Sequence, residues 1–170
     1  MMPAATTPAA PRHTGSVRPR GFTLIELLVV MAVMGVLAAL VMPLAELSVQ
    51  RDRERELKRA LWEIRDAIDA YHRAASAGAV VLAPGDSLYP PDLPALTQGV
   101  SDPRQPGRVQ YFLRRVPRDP FADPSLPAEA TWALRSYLSP PDRPQPGPDV
   151  YDVASRSQGV GLNGVPLKDW

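Results

Sequence analysis

The side chains that do most enzymatic chemistry are nearly missing from this sequence. It has no cysteine and two histidines, His13 and His72. That excludes a thiol nucleophile, a cysteine metal cluster and a disulfide framework. It also leaves no material for a Ser-His-Asp relay or a multi-histidine metal site. Carboxylates remain. Paired acids can cleave glycosidic bonds unaided, but about ninety proline-rich residues after one helix leave little room for a deep cleft. Asp149, Asp152 and Asp169, with Ser155, Ser157 and Asn163, place oxygens near one another in sequence. Residues of these types also form turns through local backbone bonds, and no EF-hand spacing occurs. We read them as turn formers and expect no metal and no cofactor. Asp119, flanked by Pro117 and Pro120, is expected to fix a turn.

One carboxylate is out of place. Glu26 sits at the start of an apolar run, and from Leu27 to Ala45 nineteen residues carry no charge. That is about the length a helix needs to cross ~30 Å of hydrocarbon at ~1.5 Å per residue. A lone acid near hydrocarbon costs a few kcal/mol and usually has a partner. Without one, Glu26 reaches water at the helix mouth.

The residues around Glu26 supply more. Gly21, Phe22, Thr23, Leu24, Ile25 and Glu26, followed by the apolar helix, closely resemble the class III leader of type IV pilins and type II secretion pseudopilins. The resemblance implies that a prepilin peptidase cuts between Gly21 and Phe22 on the cytoplasmic side and that the new Phe22 amine is N-methylated. A residue without Cβ suits a close fit in a protease cleft. The resemblance also gives Glu26 a partner, the Phe22 amine of a neighbouring subunit. At 4 Å and an effective dielectric near 20 the pair attracts by ~4 kcal/mol, against desolvation of similar size. Its value is therefore register in assembly.

Four segments follow: a leader at 1–21, a transmembrane helix at 22–47, its amphipathic continuation at 48–77, and a globular domain at 78–170. The leader carries four prolines and no apolar periodicity. Its removal takes Arg12, Arg18 and Arg20 and moves the net charge from +1 to −2; neither value points to nucleic acid. Lysine and arginine counts do not favour an internal N-terminus, because Arg51 to Arg59 brings five basic residues and the leader three. The cytoplasmic N-terminus and periplasmic C-terminal domain are implied by the resemblance. Gly35 and Pro43 interrupt the helix pattern, and the resemblance implies that the stretch between them loses helical structure when a filament packs.

Leu57, Leu61, Ile64, Ile68, Tyr71 and Ala75 recur at helical steps, with Ala60 and Ala67 alongside. The charges from Arg53 to Arg73 are read as a solvated face. Gly78 ends the helix. Fifteen of the 21 prolines lie between Pro84 and Pro148, so that region reads as loops. Within it, 88–96 reads as a turn and short helix capped by Asp92, and 109–116 as a buried helix or strand. Residues 131–139 and 149–155 read as an antiparallel strand pair, and the tail as a last short strand ending in Trp170. Trp132, Tyr137, Tyr151 and Trp170 are expected in the core; Trp62 faces either that core or a neighbouring subunit. The fold class is α+β, pilin-like: a long N-terminal helix on a small antiparallel sheet.

The C-terminal words, YPP, RVPRDPF, a tyrosine-containing strand and a final Asp-Trp, resemble the major pseudopilin of type II secretion. That family has Trp-Gly where this chain has Phe121 and Ala122. Its members bind calcium in an acid-rich C-terminal loop; the acids are sparser here. The resemblance implies a structural subunit of a secretion pseudopilus, not an enzyme, held in the bacterial inner membrane. Its implied partners are itself, other pseudopilins, the prepilin peptidase, the inner-membrane assembly platform and a secretin. The work comes from a separate ATPase, since the chain has no P-loop. A minor pilin of a type IV pilus or DNA-uptake filament and a membrane-anchored periplasmic enzyme are the alternatives.

Overall fold

The computed structural model describes residues 21–170, and residues 40–45 in backbone course only. The expected leader, up to residue 20, lies outside the described residues. The elements are α1 (Leu24–Ser76), α2 (Ala95–Gln98), β1 (Val100–Ser101), β2 (Val109–Gln110), a 3-10 turn (Ala128–Thr131), β3 (Trp132–Arg135), β4 (Asp152–Ser155) and a second 3-10 turn (Leu167–Asp169). The chain divides after Pro43 into two units.

In the first unit, Thr23 starts α1 in the manner of an N-cap. Its Oγ1 accepts from the Glu26 N–H at 3.3 Å and its carbonyl accepts from Leu27 at 3.2 Å. A threonine hydroxyl satisfies one of the orphan donors that every helix start leaves. The helix is assigned through Gly35 and Pro43 in the single chain. Every described side chain from Phe22 to Ala39 is exposed.

In the second unit the pattern changes. Leu57, Ala60, Leu61, Ile64, Ala67, Ile68, Tyr71, Ala74 and Ala75 are all buried, forming the stripe that helical spacing predicts. Leu93, Leu96, Leu113, Val116, Trp132, Val150, Val153 and Leu167 cover it. Fully burying a Leu or Ile contributes about 1.5–3 kcal/mol, so this stripe is the main source of cohesion. α1 stops where expected. Gly78 takes φ +73°, the Ala79 N–H donates to the Ala74 carbonyl at 2.8 Å and the Gly78 N–H to that of Ala75 at 2.9 Å. These are the two bonds of a Schellman motif, which suits glycine at the left-handed position.

The covering loops hold together through their prolines as acceptors. Proline cannot donate, but its carbonyl is unimpaired. Pro117 accepts from the buried Trp132 Nε1 at 2.8 Å, and Pro90 accepts from Val150 at 2.8 Å. Asp92 Oδ1 accepts from the N–H of Ala95, the first residue of α2, at 2.8 Å, but the cap position itself is Pro94, one residue before the helix and two after the expected Asp92.

The sheet is two separate antiparallel ladders, β1–β2 and β3–β4. β3–β4 pairs Trp132 with Ser155 and Arg135 with Asp152. The expected strands at 131–139 and 149–155 are therefore shorter than their sequences suggested. The reason is Asp149, which accepts from the Tyr137 N–H and the Ser136 hydroxyl; side-chain bonds of this kind compete with a ladder. Only Val109 and Gln110 of 109–116 are strand, and both are exposed, while Leu113 and Val116 are buried. The tail is not a strand. It has one bridge, Val160 with Pro166, then the 3-10 turn; Pro166 has no N–H and Gly164 turns the chain at φ +78°.

Two aromatic expectations are also corrected. Trp132 is fully buried and Trp170 packs partly against the core, but Tyr137 is 58% exposed and Tyr151 is 37% exposed. They join Tyr89 and His72 in a surface stack, with ring centres 4.5 to 5.5 Å apart. Trp62 is exposed, so it is not a core residue.

Burial makes a sharp contrast within one helical turn. Ile64→Ala is expected to destabilise the chain by about 2–5 kcal/mol, and Trp62→Ala by no more than about 0.5 kcal/mol. Denaturant unfolding of the full chain in detergent checks this; equal losses would refute the assigned face.

Candidate functional site

The sequence singles out Gly21, Phe22 and Glu26, and the structure places them in the first unit. An added Cβ at Gly21 would meet nothing within 4 Å, and the same holds at Gly35. Among the described residues no contact demands glycine at either position. Phe22 is 79% exposed, its residue adjoining the Gly21–Phe22 bond in irregular backbone ahead of the helix. Among the described residues the Glu26 carboxylate makes no ion pair.

Among the described residues no helix is long and apolar enough to cross a membrane. The described side chains of the apolar run end at Ala39; its sequence continues without charge to Ala45. The whole run, not its described part, has the length a bilayer needs.

Asp152, Ser155 and Asp169 line one concavity, but most of the candidate C-terminal side chains are committed to other partners. Asp149 is buried and its Oδ1 accepts from the Ser136 hydroxyl at 2.7 Å and from the Tyr137 N–H at 2.9 Å. Asp152 pairs with Arg65 at 2.8 Å. The Ser155 hydroxyl donates to Asp119 Oδ2, and Asn163 Oδ1 accepts from Val165 within its own turn. Among the described residues no three acids or histidines stand close enough to hold a metal ion. Calcium needs six to eight oxygens, and these residues do not fit it.

Asp119 is a structural anchor. It is fully buried, its Oδ1 accepts from Phe121 at 2.8 Å, and its Oδ2 ties the turn to β4 through Ser155. Its N–H reaches Thr131 Oγ1 at 3.2 Å. A concavity of about 630 Å³ lies over Tyr71, His72, Tyr89 and Tyr137. Its acids are Asp86 and Asp149. Asp86 Oδ2 accepts from the Ala83 N–H, and Asp149 Oδ1 accepts from Ser136 and Tyr137.

Sequence reasoning missed one feature. Part of the charged face of α1 is a grip on the tail. Glu54 Oε1 accepts from Leu162 at 2.7 Å, the Lys58 ammonium lies 4.4 Å from the Trp170 ring centre, and Arg65 reaches Asp152, Val153 and Trp170. Spacings of four and seven put these three on one side of the helix, which is the signal that was available. A second arginine works alike: Arg104 chelates Asp102 and donates to the Ala77 carbonyl at the end of α1. The hydrogen bonds from the Arg104 side chain hold the Asp102 carboxyl below the usual range.

A family model described as the prokaryotic N-terminal methylation motif matches residues 18–42. The chain is similar to the type II secretion system core protein G of Klebsiella pneumoniae, 31% identical over 109 residues, covering 61% of this chain and 70% of that protein. It is 28% identical to the protein of the same name from Klebsiella michiganensis over 107 residues, 60% of this chain and 68% of that one. The Vibrio cholerae protein of that name is 24% identical over 155 residues, covering 88% of this chain and 90% of its own. No solved structure matches at comparable stringency.

Burial pushes the Asp149 carboxyl up, but bonds from Ser136, Ser87 and Tyr137 outweigh it and hold it below its ordinary value. The folded chain thus binds this proton more weakly than the unfolded chain. Its stabilisation is complete above the unfolded value, near pH 4, and is lost as pH falls through the lower folded value. Asp149→Asn is expected to cost about 1–3 kcal/mol at neutral pH and to shallow the acid limb. Asp102 and Asp123 are held low as well, so the limb should not vanish. Melting temperatures of the full chain in detergent from neutral pH to pH 2 test this; superimposable wild-type and variant profiles would contradict it.

Proposed function

The chain belongs to the family of the type II secretion system core protein G, and on that premise we propose that it is cut at Gly21–Phe22 and built into a secretion pseudopilus as a structural subunit. The observation that carries this reading is the first unit: a match to the N-terminal methylation motif on a helix whose described side chains from Phe22 to Ala39 are all exposed. Apolar surface of that extent is stable only under hydrocarbon or against other apolar helices. A subunit stored in the inner membrane and then moved into a filament meets both in turn.

Each residue then has a task. Hydrolysis of the Gly21–Phe22 bond frees an amine, which is methylated on Phe22 and remains a cation. Thr23 begins the helix, and Glu26, one turn in, receives the amine of the subunit beside it. Every other stagger leaves that acid unpaired in an apolar setting, which costs a few kcal/mol. The pair therefore selects one register rather than adding bulk stability. Gly35 and Pro43 weaken the helix ladder between them, so this stretch can yield when neighbours pack against it. The segments in this reading are the leader at 1–21, the membrane helix at 22–47, the amphipathic helix at 48–77 and the periplasmic domain at 78–170. The N-terminus is cytoplasmic. The partners are other pseudopilins, the prepilin peptidase, the assembly platform and the secretin.

Glu26→Leu separates the steps. The variant is expected to insert and be cleaved as the wild type is, while filament yield falls at least about tenfold, the factor for the loss of ~1.4 kcal/mol in register. Quantitative immunoblotting of sheared filaments against membrane-bound subunit measures this. Ordinary filament yield from the variant would refute the register role.

A further inference from the structure

We infer that this chain fastens its C-terminal segment with side chains of α1 in place of a divalent cation, so that the fold of residues 149–170 does not depend on calcium. The inference goes beyond the filament reading and rests on the second unit alone.

Arg65 is the centre of the fastening. Its Nε donates to Asp152 Oδ1 at 2.8 Å, and its Nη2 to the main-chain oxygens of Val153 at 3.1 Å and Trp170 at 2.9 Å. Three oxygens from β4 and the end of the tail thus converge on one cation. Holding oxygens from separate loop segments together is the task a bound calcium ion performs. A guanidinium does it with one charge, in a plane, through directed N–H bonds. The side chains of Arg65 and Asp152 are about one-third exposed, which leaves the pair sheltered but in contact with water.

Two further attachments lie on the same side of α1. Glu54 Oε1 holds the Leu162 N–H at 2.7 Å, and Lys58 sits over the Trp170 ring. That ring lies so close to Gly161 that an added Cβ there would overlap it. The tail is thus held at Val153, Leu162 and Trp170 by residues at positions 54, 58 and 65. A calcium ion in this region would face two fixed cations, Lys58 and Arg65. Of the carboxylates nearby, Asp152 is already paired with Arg65 and Glu54 holds the Leu162 N–H. Asp142 and Asp169 line the same concavity as Asp152, but among the described residues no three acids stand close enough to hold a metal ion. Asp149 is committed elsewhere, to Ser136 and Tyr137. Electrostatics and donor supply both disfavour the metal.

The test uses the full chain in detergent micelles and calcium ion as the probe. Melting temperatures in chelator and in millimolar calcium should coincide, and a calorimetric calcium titration should show no saturable heat. Arg65→Met should lower the melting temperature by several degrees and raise the rate of protease cleavage within 156–165 about tenfold. Calcium should not reverse either effect. Arg65→Lys, which keeps the charge and loses the fork, should fall between the two. If Arg65→Met does not fold, Arg65→Lys and the wild-type calcium titration carry the test. Saturable binding that raises the wild-type melting temperature would overturn the inference. So would an Arg65 variant with unchanged melting and unchanged cleavage. Neither result bears on filament yield, so the functional reading stands or falls separately.

Discussion

The constraint on which everything else depends is apolar surface that the chain leaves uncovered. From Phe22 to Ala39 the described side chains are exposed, and nearly all are hydrocarbon. Water is a poor solvent for such a surface. Lower on the same helix the apolar residues narrow to one stripe, and loops from the chain itself bury it. One element is thus written for two surroundings: lipid or sister helices along its first part, and a private core along its second. In the proposed filament, the single acid in the first part, Glu26, would be a register mark for the assembly.

The second unit achieves a defined core with little regular structure beyond α1. Its ladders are two and four residues long. Rigidity comes instead from buried anchors that each close several loops. Trp132 fills the centre and bonds Pro117. Asp119 joins its own turn to β4, and Asp149 gathers Ser136 and Tyr137. Proline limits the conformations open to the unfolded loops, which lowers the entropy lost on folding, and its carbonyls accept the bonds that remain. The charged face of α1 adds Arg65 and Glu54 as grips on the tail. A small domain without disulfides uses such long-range polar contacts where a larger one would use more core.

Much of this was legible in the sequence, and the reasons differ by feature. The stripe from Leu57 to Ala75 was legible because helix periodicity is a local signal. The N-terminal motif was legible because it is a linear run of residues, matched by a family model at 18–42. The β3–β4 pair was legible from its β-branched and aromatic residues, but not its length, because Asp149 takes donors that the ladder would have used. Tyr137 and Tyr151 were misplaced in the core; aromatic size argues for burial, yet their rings stack with Tyr89 and His72 at the surface. The Arg65 contacts span 87 to 105 residues of sequence. No period or spacing links partners so far apart.

The central claim is that the functional chain begins at a methylated Phe22 whose amine meets Glu26 of a neighbour. Intact-mass and fragment-ion spectrometry of the protein purified from its own cells tests it most directly. The account predicts an N-terminal residue Phe22 carrying one methyl group, with residues 1–21 gone. A chain that still begins at Met1, or one cut beyond the apolar run near Ala45, would contradict it.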